Sequence, residues 1–90
     1  MYKLNTTKQF EKDYKLCKKR GLRLDLINNV FKLLESTGNL PPKYKPHKLT
    51  GDYTGFLECH VQNDWLLVWE KDENKKEITL TRTGTHSDLF

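Results

Sequence analysis

The 90-residue chain predicts an α+β domain in which a two-helix hairpin covers one face of a mostly antiparallel four-stranded sheet, in the order β-α-α-β-β-β. Three observations predict it. Two amphipathic stripes at helical spacing lie before Gly38, the pair Pro41–Pro42 stops any helix after them, and three runs with strand patterning, joined by short polar turns, occupy the second half.

The elements follow in chain order. Tyr2 to Leu4 opens a short strand, and Thr6 with Gln9 three residues on gives a capping-box signal for a first helix running to about Arg20. Phe10, Tyr14 and Cys17 share one face of this helix, while Lys8, Lys12, Lys15 and Lys19 line the other. Gly21 closes it beside Lys18, Lys19 and Arg20, whose charges suit a helix C-terminus. In LDLINNVFKLLES, residues Leu24, Ile27, Val30, Phe31 and Leu34 form a second stripe that ends near Gly38, and helices joined so tightly pack as a hairpin.

NLPPKYKP, residues 39 to 46, reads as a loop that delivers the chain to His47, Lys48 and Leu49 and then to a turn region between Gly51 and Gly55. FLECHVQ alternates as a strand. WLLVWE is apolar on both parities, which predicts a central strand covered on both sides, and Asn63 with Asp64 makes the hairpin turn between these two. KDENKK forms the next turn, EITLTRT the third strand of the meander, and GTHSDLF the tail. Parity sends Leu57, Cys59 and Val61 toward the helices and Phe56, Glu58, His60 and Gln62 to the open face. Arg82 shares the apolar parity of Ile78 and Leu80, so its guanidinium reaches the open face only through a bulge near Gly84 or by its place at the strand end.

Ninety residues build one modest core, so residues 1–90 are expected to form a single domain. Residues 1 to 50 carry twelve basic and four acidic side chains, and residues 51 to 90 four basic and eight acidic, so the first half offers a cationic surface to a polyanion or an acidic protein. A membrane surface is disfavoured, because this half has no Trp-bearing amphipathic face. No apolar run has the length of a signal sequence or a membrane span, and a cytoplasmic location is expected. Cys17 and Cys59 lack CxxC or metal-type spacing and read as small buried hydrophobes.

The chemistry-bearing residues concentrate late in the chain. His47, His60 and His86 each fall at a strand end or on the open face, and Asp64 stands near enough to His60, across a turn entrance, to orient its imidazole or take a proton itself. Taken singly, a turn Asp more often bonds its own backbone, and a strand His is more often a satisfied polar group. Metal binding has little support, since no HxxxH-type pair exists and Lys45, Lys48 and Arg82 would repel a divalent cation. Cys59 faces the core, which disfavours a thiolate nucleophile. RNA backbone cleavage fits the mixture better and needs neither metal nor cofactor: the strand supplies its own 2′-hydroxyl, and the protein supplies a base, an acid and cations. Arg82 could then grip a phosphate in bidentate fashion, and Trp65 or Phe90 could stack a base, although Trp65 opens an apolar strand and suits the core equally.

The segments YKPHKLTGDYTGF, ECHVQNDWLLVW and RTGTHSDLF, following two short helices, resemble the YafQ-like branch of the RelE/ParE superfamily of bacterial toxins over essentially the whole chain. The patterns H-x-L-x-G, H-V-x-x-D-W and R-T-G-[ST]-H-x-x-L-F carry the resemblance. It implies a RelE-like fold and an endoribonuclease of a type II toxin–antitoxin system that cuts mRNA, generally at the ribosome, and is held inactive by a cognate antitoxin. Position by position, it implies catalytic histidines at His47 and His60 and a catalytic carboxylate at Asp64 with Trp65 as a substrate contact. It further implies a phosphate-binding Arg82, a His86 that transfers a proton to the leaving group, and a Phe90 that helps seat RNA. Lys45 and Lys48, with the basic helix surface from Lys8 to Arg23, are expected to contact RNA. Two other readings are a non-catalytic, ParE-like topoisomerase inhibitor, against which the histidine set counts, and a plain RNA-binding module. An acidic antitoxin lying along the basic helices is physically reasonable.

Overall fold

The computed structural model describes residues 1–90. Strand β1 (Lys3–Thr6) leads into helices α1 (Lys8–Lys19) and α2 (Leu24–Thr37). Then follow strands β2 (His47–Lys48), β3 (Phe56–Gln62), β4 (Trp65–Asp72) and β5 (Glu77–Gly84), and a one-turn helix α3 (His86–Leu89). The strands form one sheet in the order β1-β5-β4-β3-β2, with β1 parallel to β5 and every other pairing antiparallel. The α+β class, the helix hairpin and the three-strand meander are as the sequence predicts. The strand count is five, because His47 and Lys48 pair with Glu58 and Leu57 as a two-residue edge strand too short to show alternation.

Both helices owe their ends to local chemistry. Thr7, not Thr6, caps α1: its hydroxyl accepts from the Phe10 amide at 3.0 Å, while Gln9 turns to Asp13 instead of reaching back. At the other end Gly21 takes φ +79°, and the Gly21 and Leu22 amides bond the Lys18 and Cys17 carbonyls, the paired pattern of a Schellman stop. Gly38 ends α2 at φ +74° and also sits against the Tyr2 ring, where a Cβ would lie 2.3 Å from a ring carbon. Phe10 and Tyr14 of α1 meet Phe31 of α2 at centroid distances of 6.0 and 6.3 Å, closing the hairpin.

The sheet has two apolar sides. Toward the helices, Cys59, Val61, Trp65, Leu67, Trp69, Ile78 and Leu80 join Phe10, Cys17, Ile27, Val30 and Leu34 in the main core. On the opposite face Leu66, Val68 and Leu89 form a smaller cluster supported by Leu49 and Phe56. The central β4 is thus buried from both sides, as its unbroken apolar run requires. No helix is long and apolar enough to cross a membrane.

Two register shifts re-aim side chains. Between β3 and β4 His60 pairs with Leu66 but Gln62 pairs with Trp65, so Val61 is the extra residue beside the Asn63–Asp64 turn. Between β4 and β5 Val68 pairs with Arg82 but Trp69 pairs with Leu80, which makes Thr81 the bulged residue. Arg82 accordingly leaves the parity of Ile78 and Leu80 and joins Val68 on the open side. The bulge lies before Arg82, not near Gly84.

Candidate active site

The open face is organised in cross-strand rows. His60, Leu66 and Gly84 lie opposite one another, and the next row holds His47, Glu58, Val68 and Arg82. Helix α3 crosses above Leu66 and Val68, pinned by Leu89, which is 8% exposed. Thr85 and Asp88 form a reciprocal capping box: the Thr85 hydroxyl accepts from the Asp88 amide and the Asp88 carboxylate from the Thr85 amide. Asp88 is further clamped by Arg20 of α1 at 2.6 Å. The guanidinium and the Thr85 amide hold this carboxyl well below the usual carboxylate range.

This docking brings the three histidines together. The rings of His47 and His60 have centroids 6.4 Å apart, and those of His60 and His86 6.0 Å apart, so His60 is the middle of a continuous row. Each ring is oriented from one edge. His47 Nδ1 lies 2.9 Å from the Lys45 carbonyl and its Nε2 3.1 Å from Glu58 Oε1. His60 Nδ1 faces the Asn63 carbonyl at 3.4 Å, leaving Nε2 free. His86 Nδ1 lies 2.7 Å from Asp64 Oδ1, and its Nε2 is likewise free.

Asp64 therefore serves His86, not the neighbouring His60 suggested by sequence proximity. Its Oδ1 also accepts the His86 backbone amide at 3.1 Å. These two bonds to His86, side chain first and backbone second, lower the Asp64 carboxyl below its ordinary value and keep it anionic, which suits orienting an imidazolium and not donating a proton.

Arg82 is present but committed. Its Nε and Nη2 meet Asp13 of α1 at 2.7 and 3.4 Å, and Nη2 also lies 3.4 Å from the Asp88 carbonyl. Asp13 takes the Thr83 amide as well, covering the stretch of β5 that β1 is too short to pair. Two of the three guanidinium nitrogens are thus engaged, which leaves no bidentate edge for the expected phosphate grip and only Nη1 without a partner.

Three of the other expected contacts, Trp65, Lys48 and the Lys45 side chain, fall away from the histidine row. Trp65 is 3% exposed in the helix-side core, where its indole donates to Thr83 Oγ1 at 3.0 Å, so it cannot stack a base on the open face. Lys48 pairs with Leu57 and therefore leaves β2 toward the helix side, away from the histidines. Lys45 reaches the site through its carbonyl, from a left-handed backbone at φ +50°, while its side chain is exposed. Phe90 is 55% exposed and rests edge-on against Tyr53 at 5.1 Å, leaving Leu89 as the anchor of the tail. Burial pushes the Cys59 thiol up to about 12, which removes it as a nucleophile.

Sequence reasoning missed Glu58 as a partner of His47, and Asp13, Arg20, Asp88 and Tyr53 as supports of the site. The T-x-x-D spacing of Thr85 and Asp88 announced the α3 cap, and Glu58 shares the parity of His60; neither Asp13 nor Arg20 carries a local signal.

Residues 2–90 match the family described as the bacterial toxin of the type II toxin–antitoxin system, YafQ. The chain is 37% identical over 83 residues to the mRNA interferase toxin YafQ of Escherichia coli K12, covering 91% of this chain and 88% of that protein. Its fold superposes on a metal-bound toxin from Helicobacter pylori with a TM-score of 0.91 at 40% identity, covering 100% of each chain. A toxin chain of the E. coli DinJ–YafQ toxin–antitoxin complex gives a TM-score of 0.89 at 34% identity, over 99% of this chain and 97% of that one. The resemblance carried by the three histidine-bearing motifs is thus borne out in sequence and fold, and the chain belongs to the YafQ family of bacterial type II toxin–antitoxin toxins.

Proposed function

We propose that this chain is an endoribonuclease toxin that cleaves mRNA at the ribosome by acid–base catalysis on the RNA 2′-hydroxyl, without a metal. The observation that carries the reading is the row of three imidazoles, 6.4 and 6.0 Å apart, with free Nε2 atoms on His60 and His86. The neutral His60 ring, donating from Nδ1 to Asn63, presents a lone pair at Nε2 and takes the 2′-hydroxyl proton. His86, held at Nδ1 by the Asp64 carboxylate, gives its Nε2 proton to the departing 5′-oxygen. His47 has both ring nitrogens against acceptors, a carbonyl and a carboxylate, so it is a positioned neighbour of the phosphate with no free nitrogen for proton transfer. Arg82 adds one donor through Nη1. The products are a 2′,3′-cyclic phosphate and a 5′-hydroxyl, and atoms balance with no co-reactant.

The partner is an antitoxin, in keeping with the DinJ–YafQ assembly of the relative, and the lysine-rich α1 ridge is the surface best suited to an acidic segment. The cytoplasm, where its mRNA substrate is translated, is the proposed location. Because a structural relative is a metal-bound toxin, the decisive arm of the test is chelation. Purified protein with translating ribosomes and excess EDTA-treated mRNA, with magnesium restored only to the level ribosomes need, should cut at discrete sites, and His86→Ala should not. Full activity in His86→Ala, or activity that follows added transition metal, would reject this reading.

A further inference from the structure

A crevice of about 180 Å³ opens on the catalytic face between the turn that carries Asp52 and Tyr53 and the C-terminal helix. Phe56, Val68 and Leu89 make its apolar floor, Arg82 stands at one side, and the perpendicular rings of Tyr53 and Phe90 form its lip. Ligand pockets for drug-sized molecules hold roughly 300–1,000 Å³, so this one suits a single flat ring system and not a helix or a peptide strand.

Its location is set by the sheet. Val68 sits directly opposite Glu58, whose carboxylate meets His47, so the crevice floor is one strand spacing, roughly 4.8 Å, from the strand that carries Glu58 and His60. A strand whose phosphate lies over His60 and His86 thus brings an adjacent base to the crevice. Two polar groups at the opening are uncommitted. The hydrogen bonds of the turn are made by its backbone and by Thr54, which leaves the Asp52 carboxylate and the Tyr53 hydroxyl free to meet a ligand.

We propose that this crevice is a nucleobase subsite in which one base of the cleaved strand stacks at Tyr53 and Phe90 and presents an amino edge to Asp52. The proposal deepens the nuclease reading and rests on it. A carboxylate accepts from the exocyclic amino group of adenine, cytosine or guanine, whereas the single ring N–H of uracil is flanked by two carbonyl oxygens that oppose it. Cleavage should therefore discriminate against uracil at one fixed position relative to the cut. Tyr53 supplies binding and Asp52 supplies the choice.

The test is to sequence the product ends from a randomised mRNA translated with the unaltered protein, Asp52→Asn, Tyr53→Ala and Tyr53→Phe. Both positions are exposed, and matched melting temperatures would show that the variants fold. Asp52→Asn should reduce discrimination against uracil at that position by about fivefold or more. Tyr53→Ala should slow cleavage by about fivefold to a hundredfold, with Tyr53→Phe restoring most of it. Site preferences unchanged in Asp52→Asn, or a rate gain equal at every site, would overturn base recognition while leaving the nuclease intact; no cutting by the unaltered protein would overturn both.

Discussion

Asp64 Oδ1 accepts both the ring Nδ1–H and the backbone N–H of His86, at 2.7 and 3.1 Å, so one oxygen fixes the position and the orientation of the imidazole. A chain end that would otherwise fray is thereby tied to the β3–β4 turn, 22 residues earlier. His86→Ala should lower cleavage by about 10²–10⁴-fold, the usual worth of a positioned acid, with little change in melting because the ring is exposed. Gel-based cleavage rates and thermal melts of the same samples check it.

Asp64→Asn keeps an acceptor for the backbone amide but removes the charge. The ring then loses the anionic acceptor that orients it, while the amide oxygen can still take both N–H groups of His86. The maximal cleavage rate should fall, but less than in His86→Ala, in the same gel assay.

Glu58 is 5% exposed, and its Oε2 has no hydrogen-bond partner. Such a carboxylate is held at a cost that an apolar side chain would not incur. Glu58→Leu should therefore melt at the same temperature or higher, since the half-exposed His47 stays hydrated, while cleavage falls by about tenfold or more with the lost charge-assisted contact. A simultaneous loss of stability and activity would assign Glu58 a purely structural role.

The acid limb of stability reports on α3. Asp88, its carboxyl depressed by Arg20 and the Thr85 amide, contributes stability that is fully present above its unfolded value near 3.8 and is lost as pH falls through the lower folded value. Asp64 acts in the same direction. The melting-temperature gap between the unaltered protein and Asp88→Asn should be constant above about pH 5 and shrink toward zero in stronger acid.

Gly84 touches no proposed substrate atom, yet it controls the site. Its φ is +151°, and a Cβ there would lie 2.8 Å from Asp88 Oδ2. Gly84→Ala should cost about 1–3 kcal/mol through backbone strain and displacement of the cap, and should reduce cleavage by loosening His86. A folded variant with unchanged activity would separate the cap from catalysis.

Much of this was legible in the sequence because it depends on period. The stripes through Phe10 and Cys17 and through Ile27, Val30 and Leu34 gave the helix faces, and strand parity placed Cys59 inward and His60 outward. What periodicity cannot show is where it breaks. One bulge at Thr81 turns Arg82 to the open face, and the inward parity of Trp65 follows from its pairing with Gln62 across the bulge at Val61. The His47–Lys48 strand is too short for a pattern, so the opposite directions of its two side chains, and the Glu58 contact that His47 makes, emerge only from pairing. Long-range charge pairs such as Arg82 with Asp13 and Arg20 with Asp88 have no local signature at all.

The chemistry of the cut ends tests the histidine mechanism most directly. Cleavage fragments generated on ribosomes supplied with magnesium alone should carry a 2′,3′-cyclic phosphate or 3′-phosphate on the upstream piece and a 5′-hydroxyl on the downstream one. Fragments with a 3′-hydroxyl and a 5′-phosphate would mean that water, not the 2′-oxygen, attacked phosphorus, and the acid–base roles given to His60 and His86 would be wrong.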